Sequence, residues 1–212
     1  MNIILTSVEE GLADAWERFC GDLDFVTVHR ASVLDLSCDA VVSPANSFGF
    51  MDGGIDMLYT QHFGWHVQER LQEAIREEHH GELLVGAAEI VETDDPDLPF
   101  LVAAPTMRVP TILRDSVNPY LAARAALLLA AHGTFTQGTY AGEKIADFVG
   151  SLAFPGLGTG VGRVGPNTCA RQVRAAIDAV LLGREVFPVS WVDAQHRHQR
   201  LYTDQVRDLQ QE

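Results

Sequence analysis

Apolar residues run along this chain in two rhythms. Short aliphatic or β-branched runs at residues 2–6, 25–28, 40–42, 89–93, 100–104 and 151–154 are bounded by Asp, Ser, Gly or Pro, and they predict strands. The runs at 25–28 and 40–42 have the look of buried strands. Between the strands, apolar positions recur at helical spacing over residues 7–20, 120–132 and 166–182, and residues 55–78 carry the Gln, Glu, Arg and Leu of one or two helices. A Ser7/Glu10 capping box would open the first helix. Asn118 would cap the Ala/Leu-rich helix ahead of Pro119 at its first position, and Gly183 would end the last. Because residues 120–132 are apolar almost all round, that helix is predicted to be largely buried.

Strand and helix alternate through most of the chain, and residues 94–99 form an Asp- and Pro-rich turn between two strands, which reads as a hairpin. The expected fold class is α/β: a three-layer α/β/α sandwich whose central sheet is mixed because of the hairpin. Residues 1–184 form one domain in this reading. Residues 185–212 change character, with Pro188, Trp191, a His196-Arg197-His198 cluster and Tyr202, and are expected to be an extension that packs on the domain or mediates contacts.

Composition narrows the function. In 212 residues, 47% are hydrophobic and 21% charged, enough for a real core and against disorder as the main state. The net charge of −14 repels a phosphate backbone, so binding to duplex nucleic acid is not expected. Cys20, Cys38 and Cys169 are odd in number and scattered, which points to a reducing compartment and structural thiols. With no basic leader and no apolar run near the roughly 18 residues a bilayer requires, the expectation is a cytoplasmic protein without a membrane segment. His79-His80 reads as a helix end, and His196 with His198 lacks further ligands, so no metal site is expected. Arg108 is read as touching an acidic substrate or bridging to a surface carboxylate.

Two glycine-bearing loops hold the candidate chemistry. The first, Ser43-Pro44-Ala45-Asn46-Ser47-Phe48-Gly49-Phe50-Met51-Asp52-Gly53-Gly54-Ile55-Asp56, follows a strand and supplies an amide, two carboxylates and close backbone approach. The second, Pro155-Gly156-Leu157-Gly158-Thr159-Gly160-Val161-Gly162-Arg163-Val164-Gly165, places glycines at alternate positions between a strand and a helix. Successive unhindered N–H groups there can form an anion nest. It is not a Walker A loop, because no Gly-Lys-Ser/Thr follows, and the Gly156-Leu157-Gly158-Thr159-Gly160 spacing does not match GxGxxG.

Together the loops resemble the macrodomain family. Asp35-Leu36, Asp39-Ala40-Val41-Val42-Ser43-Pro44-Ala45-Asn46 and Gly53-Gly54-Ile55-Asp56 are similar to its first signature. Gly156-Leu157-Gly158-Thr159-Gly160-Val161-Gly162 is similar to its diphosphate loop. The resemblance covers residues 1–183 and implies an ADP-ribose pocket that needs no cofactor. It implies that Asp35 accepts from the adenine amino group and that Leu36 offers its N–H to the ring. Ser47 through Gly53, Gly54 and Ile55, with Gly156, Leu157, Gly158, Thr159, Gly160 and Val161, would wrap the diphosphate. Asn46 would meet the distal ribose, and Asp56, with Asp52 nearby, would serve the hydrolytic chemistry of one branch of the family. The partner is then ADP-ribose or an ADP-ribosylated substrate, and the alternative function is a reader that binds without turnover. Three positions depart from the pattern: Ser43-Pro44 stands for Asn-Ala, Asp52 for glycine and Val161 for an aromatic residue.

Overall fold

The computed structural model describes residues 1–184 and 186–208, and its six strands form one sheet in the order β2-β1-β6-β3-β5-β4. These are β1 (Asn2–Thr6), β2 (Val26–His29), β3 (Ala40–Ser43), β4 (Glu89–Glu92), β5 (Phe100–Ala103) and β6 (Ser151–Phe154). Every neighbouring pair is parallel except β4 and β5, where Glu89 faces Ala103 and Glu92 faces Phe100. A short turn can only return the chain antiparallel, whereas parallel neighbours need a long crossover, and here helices supply it. The sheet is therefore mixed, as the hairpin predicted.

The helices are α1 (Glu10–Cys20), α2 (Gly54–Phe63), α3 (His66–Glu78), α4 (Asn118–His132), α5 (Pro166–Val180) and α6 (Trp191–Arg200). The two-residue period of the strands sorts them into layers. Val42, Phe100, Val102, Leu152 and Phe154 share a core with Leu12 and Trp16 of α1 and with residues of α4 and α5. Val41, Leu101, Ala103 and Ala153 face the other way, onto Tyr59, Phe63, Val67 and Leu71 of α2 and α3. This is the α/β/α sandwich. Gly64, at φ +103°, separates α2 from α3.

Three local expectations are corrected. The Ser7/Glu10 capping box does not form: Ser7 Oγ accepts from the Glu9 N–H at 2.9 Å, a two-residue turn that leaves α1 without a side-chain cap. The strand predicted at residues 25–28 is not buried, because β2 lies at the sheet edge and pairs only with β1. Asn118 lies inside the first turn of α4 after Val117, and its amide donates instead to Thr106 O at 2.7 Å, tying α4 to the chain leaving β5.

Beyond α5, Ser190 caps α6, and Arg171 of α5 donates to Arg200 O at 3.1 Å and pairs with Asp204 at 2.9 Å. Phe187, Val189 and Trp191 stay exposed, while Tyr202 lies against the His198 ring. The expected boundary at residue 185 and the tail 209–212 lie outside the described residues. No helix among the described residues is long and apolar enough to cross a membrane.

Candidate functional site

The carboxyl ends of the parallel strands open into a cleft of about 410 Å³. Its walls come from Thr6 at the end of β1, Ala31 to Leu34 after β2, Pro44 to Asn46 after β3, Thr106 and Met107 after β5, and Pro155 and Gly156 after β6. Ligands of open α/β sheets bind at this end of the strands. Four inter-strand spacings separate β2 from β5, so the floor spans roughly 19 Å, enough for an elongated ligand.

Both glycine-bearing loops line this cleft. Asn46, Asp52, Gly53, Gly54, Ile55 and Asp56 contribute from the first, and Gly156, Gly158, Thr159, Gly160 and Val161 from the second. Along residues 158–162 no backbone N–H has an acceptor among the described residues, and the same holds for residues 52–56, where α2 begins. The first N–H groups of a helix are left open by its geometry, and the helix dipole adds positive potential there. Two strings of open donors thus meet across one cleft, a nest for an anion. The charged residues of the lining are Glu9, Asp52 and Asp56, with no Lys or Arg among them, so recognition of an anion falls to the backbone.

The glycines of the second loop divide by cause. At Gly158, φ is +67° and a Cβ would sit 3.1 Å from Leu113 Cδ1; at Gly162 a Cβ would come 2.5 Å from Gly158 O. The folded loop itself demands glycine at those positions. At Gly160 and at Gly53, φ lies outside the left-handed region and nothing stands within 4 Å of an added Cβ. There the protein leaves room that a ligand can use.

Asp56 is the chemically distinctive group. It is 8% exposed, lines the cleft from the first turn of α2, and its Oδ1 accepts from Ser43 Oγ at 2.5 Å. Burial pushes its carboxyl up to about 6, against the downward pull of the Ser43 hydroxyl. Asn46 serves its own loop: Oδ1 accepts from the Phe48 and Phe50 N–H groups at 3.1 and 3.3 Å, and Nδ2 donates to Phe50 O at 2.7 Å. An amide nitrogen carries two hydrogens, so one is left for a ligand. Asp52 is exposed at the rim.

Four of the expected contact residues are not among those that line the cleft. Asp35 is exposed and Leu36 is likewise absent from the lining, because Ser32 caps a 3₁₀ turn, Val33–Asp35, that presents Ala31 to Leu34 to the cleft. Ser47 is buried behind the loop, its backbone bonded to Arg108 O and Leu83 N. Leu157 is fully buried, and its N–H donates to Cys169 Sγ at 3.4 Å, so it anchors the second loop to α5. That anchor has no sequence signature beyond a cysteine one helical turn into α5.

The remaining candidates have structural partners. Arg108 Nε reaches Glu82 at 2.6 Å, and the guanidinium lies 5.1 Å from the Phe48 ring centroid, which settles it as a carboxylate bridge. His79 pairs with Glu89 at 3.0 Å rather than with helix carbonyls. Among the described residues no group of three or more His, Cys, Asp or Glu is placed to hold a metal ion. All three cysteines are buried, and desolvation raises Cys38 to about 11 and Cys20 and Cys169 to about 12, so the thiols stay protonated.

A mixed, largely parallel α/β sheet with anion-nest loops at the carboxyl ends of its parallel strands defines a domain suited to a phosphate-bearing ligand. The Macro domain family model matches residues 42–173, and the chain belongs to the macrodomain family. An uncharacterized protein of Aquifex aeolicus is 30% identical over 148 residues, 70% of this chain and 78% of its own length. The macrodomain of Mycobacterium tuberculosis DarG shares the fold with a TM-score of 0.57 at 17% identity, covering 72% of this chain and 90% of that one. The Oceanobacillus iheyensis macrodomain with ADP does so at 0.53 and 19% identity, covering 78% and 81%.

Proposed function

We propose that this macrodomain binds ADP-ribose in the cleft and hydrolyses an ADP-ribosyl or O-acyl-ADP-ribose adduct. Binding rests on the paired strings of open N–H groups at residues 52–56 and 158–162, which suit a diphosphate better than any other part of ADP-ribose. Family membership supports the same ligand. Charge-assisted hydrogen bonds of this kind are roughly twice as strong as neutral ones, which explains how a protein of net charge −14 can hold a dianion.

The observation that carries turnover is Asp56. A carboxylate that is buried at neutral pH with one hydroxyl as partner is a burden to folding, and groups so placed in a cleft are matched to chemistry. With its carboxyl at about 6, Asp56 is mostly ionised at pH 7 and close enough to neutrality to take a proton. In the proposed step a water oxygen bonds to the anomeric carbon of the distal ribose, or to the ester carbon of an acyl adduct. The bond to the leaving oxygen breaks with its electron pair on that oxygen. Asp56 Oδ2 receives the proton of the water. Open N–H groups near the diphosphate hold the ribose in place during the attack.

The test is release of ADP-ribose from an O-acyl-ADP-ribose and from an ADP-ribosylated peptide, with Asp56→Asn as the control. Release from either, lost in the variant, is the expected result. The reader function is favoured by one observation, the commitment of the Asn46 carboxamide to its own loop. Binding with no release from either adduct would select it.

A further inference from the structure

Ser43 and Asp56 stand on opposite sides of the cleft wall. Ser43 ends β3, is fully buried and does not line the cleft, whereas Asp56 does. The strand fixes Ser43 firmly: its carbonyl accepts from Ala104 N at 3.0 Å, and it is paired in register with Ala103 of β5. The helix carrying Asp56 is fixed as well, since Tyr59 donates to Val42 O at 3.0 Å and Thr60 to Met51 O at 3.1 Å. Ser43 has a single hydroxyl proton, and it goes to Asp56 Oδ1 at 2.5 Å. Oδ2 has no protein partner among the described residues.

We propose that Ser43 is the positioning residue for Asp56: from behind the wall it holds Oδ1, so that Oδ2 presents its lone pairs to water in the cleft. This rests on the hydrolytic reading above. The bond also governs when Asp56 is usable. A carboxyl buried without any donor would be largely protonated near neutrality, and a donor favours the charged form. The titratable neighbours cannot replace that donor: Tyr59 is committed to Val42 O, the Cys38 thiol faces Ala40 O, and Asp52 and Glu9 are acidic. Among the described residues no Lys or Arg lines the cleft beside it. Ser43 therefore does with one hydroxyl what a cation would otherwise do.

The experiment follows the Asp56 carboxyl by carbon-13 NMR in the full chain, with Asp56→Asn identifying the resonance, beside a pH profile of turnover. In the parent protein the midpoint falls at about 6. Ser43→Ala should raise it by about one pH unit. Ser43→Thr, which keeps the hydroxyl, should restore it. Turnover at pH 6 should fall about fivefold in Ser43→Ala, as the ionised fraction dictates, with KM unchanged. Should the alanine variant fail to fold, Ser43→Cys, near in size and a weak donor, should move the midpoint the same way by less. A midpoint unchanged or lowered in the donor-deficient variant overturns the proposal. Because the carboxyl titration needs no turnover, a raised midpoint in a protein that releases no ADP-ribose removes the hydrolytic reading while the Ser43 bond to Asp56 stands.

Discussion

Asp56→Asn is expected to lower release of ADP-ribose by about 10²–10⁴-fold, the range that a positioned general base supplies, while affinity for ADP-ribose stays within a few-fold. The same substitution should make the protein more stable at alkaline pH. The folded-state carboxyl lies at about 6, above its ordinary value of 3.8, so the folded state binds a proton that the unfolded state has already released. That contribution to stability is whole below pH 3.8 and is lost as pH rises through 6. At pH 8 the ionised side chain therefore costs up to about 3 kcal/mol, which a neutral asparagine avoids. Denaturant titrations at pH 4 and pH 8 would show it: near-equal stabilities at the first, a more stable variant at the second. A variant that is less stable at pH 8 and fully active would leave Asp56 as a structural residue.

Gly160→Val is expected to weaken ADP-ribose binding by about 100-fold or more, through the loss of two charge-assisted bonds at the occluded loop. Its melting temperature should stay within about 2 °C of the parent. The reason is the contrast with its neighbours. A Cβ at 158 or 162 runs into Leu113 or the Gly158 carbonyl and disturbs the loop, whereas a Cβ at 160 meets no protein atom within 4 Å and projects from a residue that lines the cleft. A valine there fits the backbone and takes ligand space. Loss of binding without loss of stability separates occlusion from misfolding, and unchanged affinity would place the ligand away from this loop.

The layers of the fold were legible because residue periodicity is a local property. Unbroken runs without a charged residue in Ala40 to Ser43 and in Phe100 to Ala103 mark strands buried on both faces, and the Asp- and Pro-rich turn at 94–99 can only make a hairpin. The two loops were legible because alternate glycines between a strand and a helix are hard to explain by packing. What the sequence concealed depends on where a turn points. Ser32-Val33-Leu34-Asp35 has the form of a capping sequence, Ser followed three residues later by an acid, and Ser32 Oγ indeed accepts from Leu34 N at 3.2 Å. Read in that way it would have turned Asp35 outward and offered residues 31–34 to the cleft. The bond between Leu157 and Cys169, and the one between Ser43 and Asp56, join elements that are distant or differently built, and only the packed sheet brings them together.

Backbone recognition without cations makes a claim about salt. Sites built on Lys or Arg lose affinity for phosphates as ionic strength rises, whereas here the formal charge is −14 and no Lys or Arg among the described residues lines the cleft. The most direct measurement is calorimetric titration with ADP-ribose, with AMP for comparison, at low and at high sodium chloride. ADP-ribose is expected to bind more tightly than AMP, with an affinity that holds or improves as salt screens the repulsion. No binding, or an affinity that falls steeply with salt, would contradict backbone recognition.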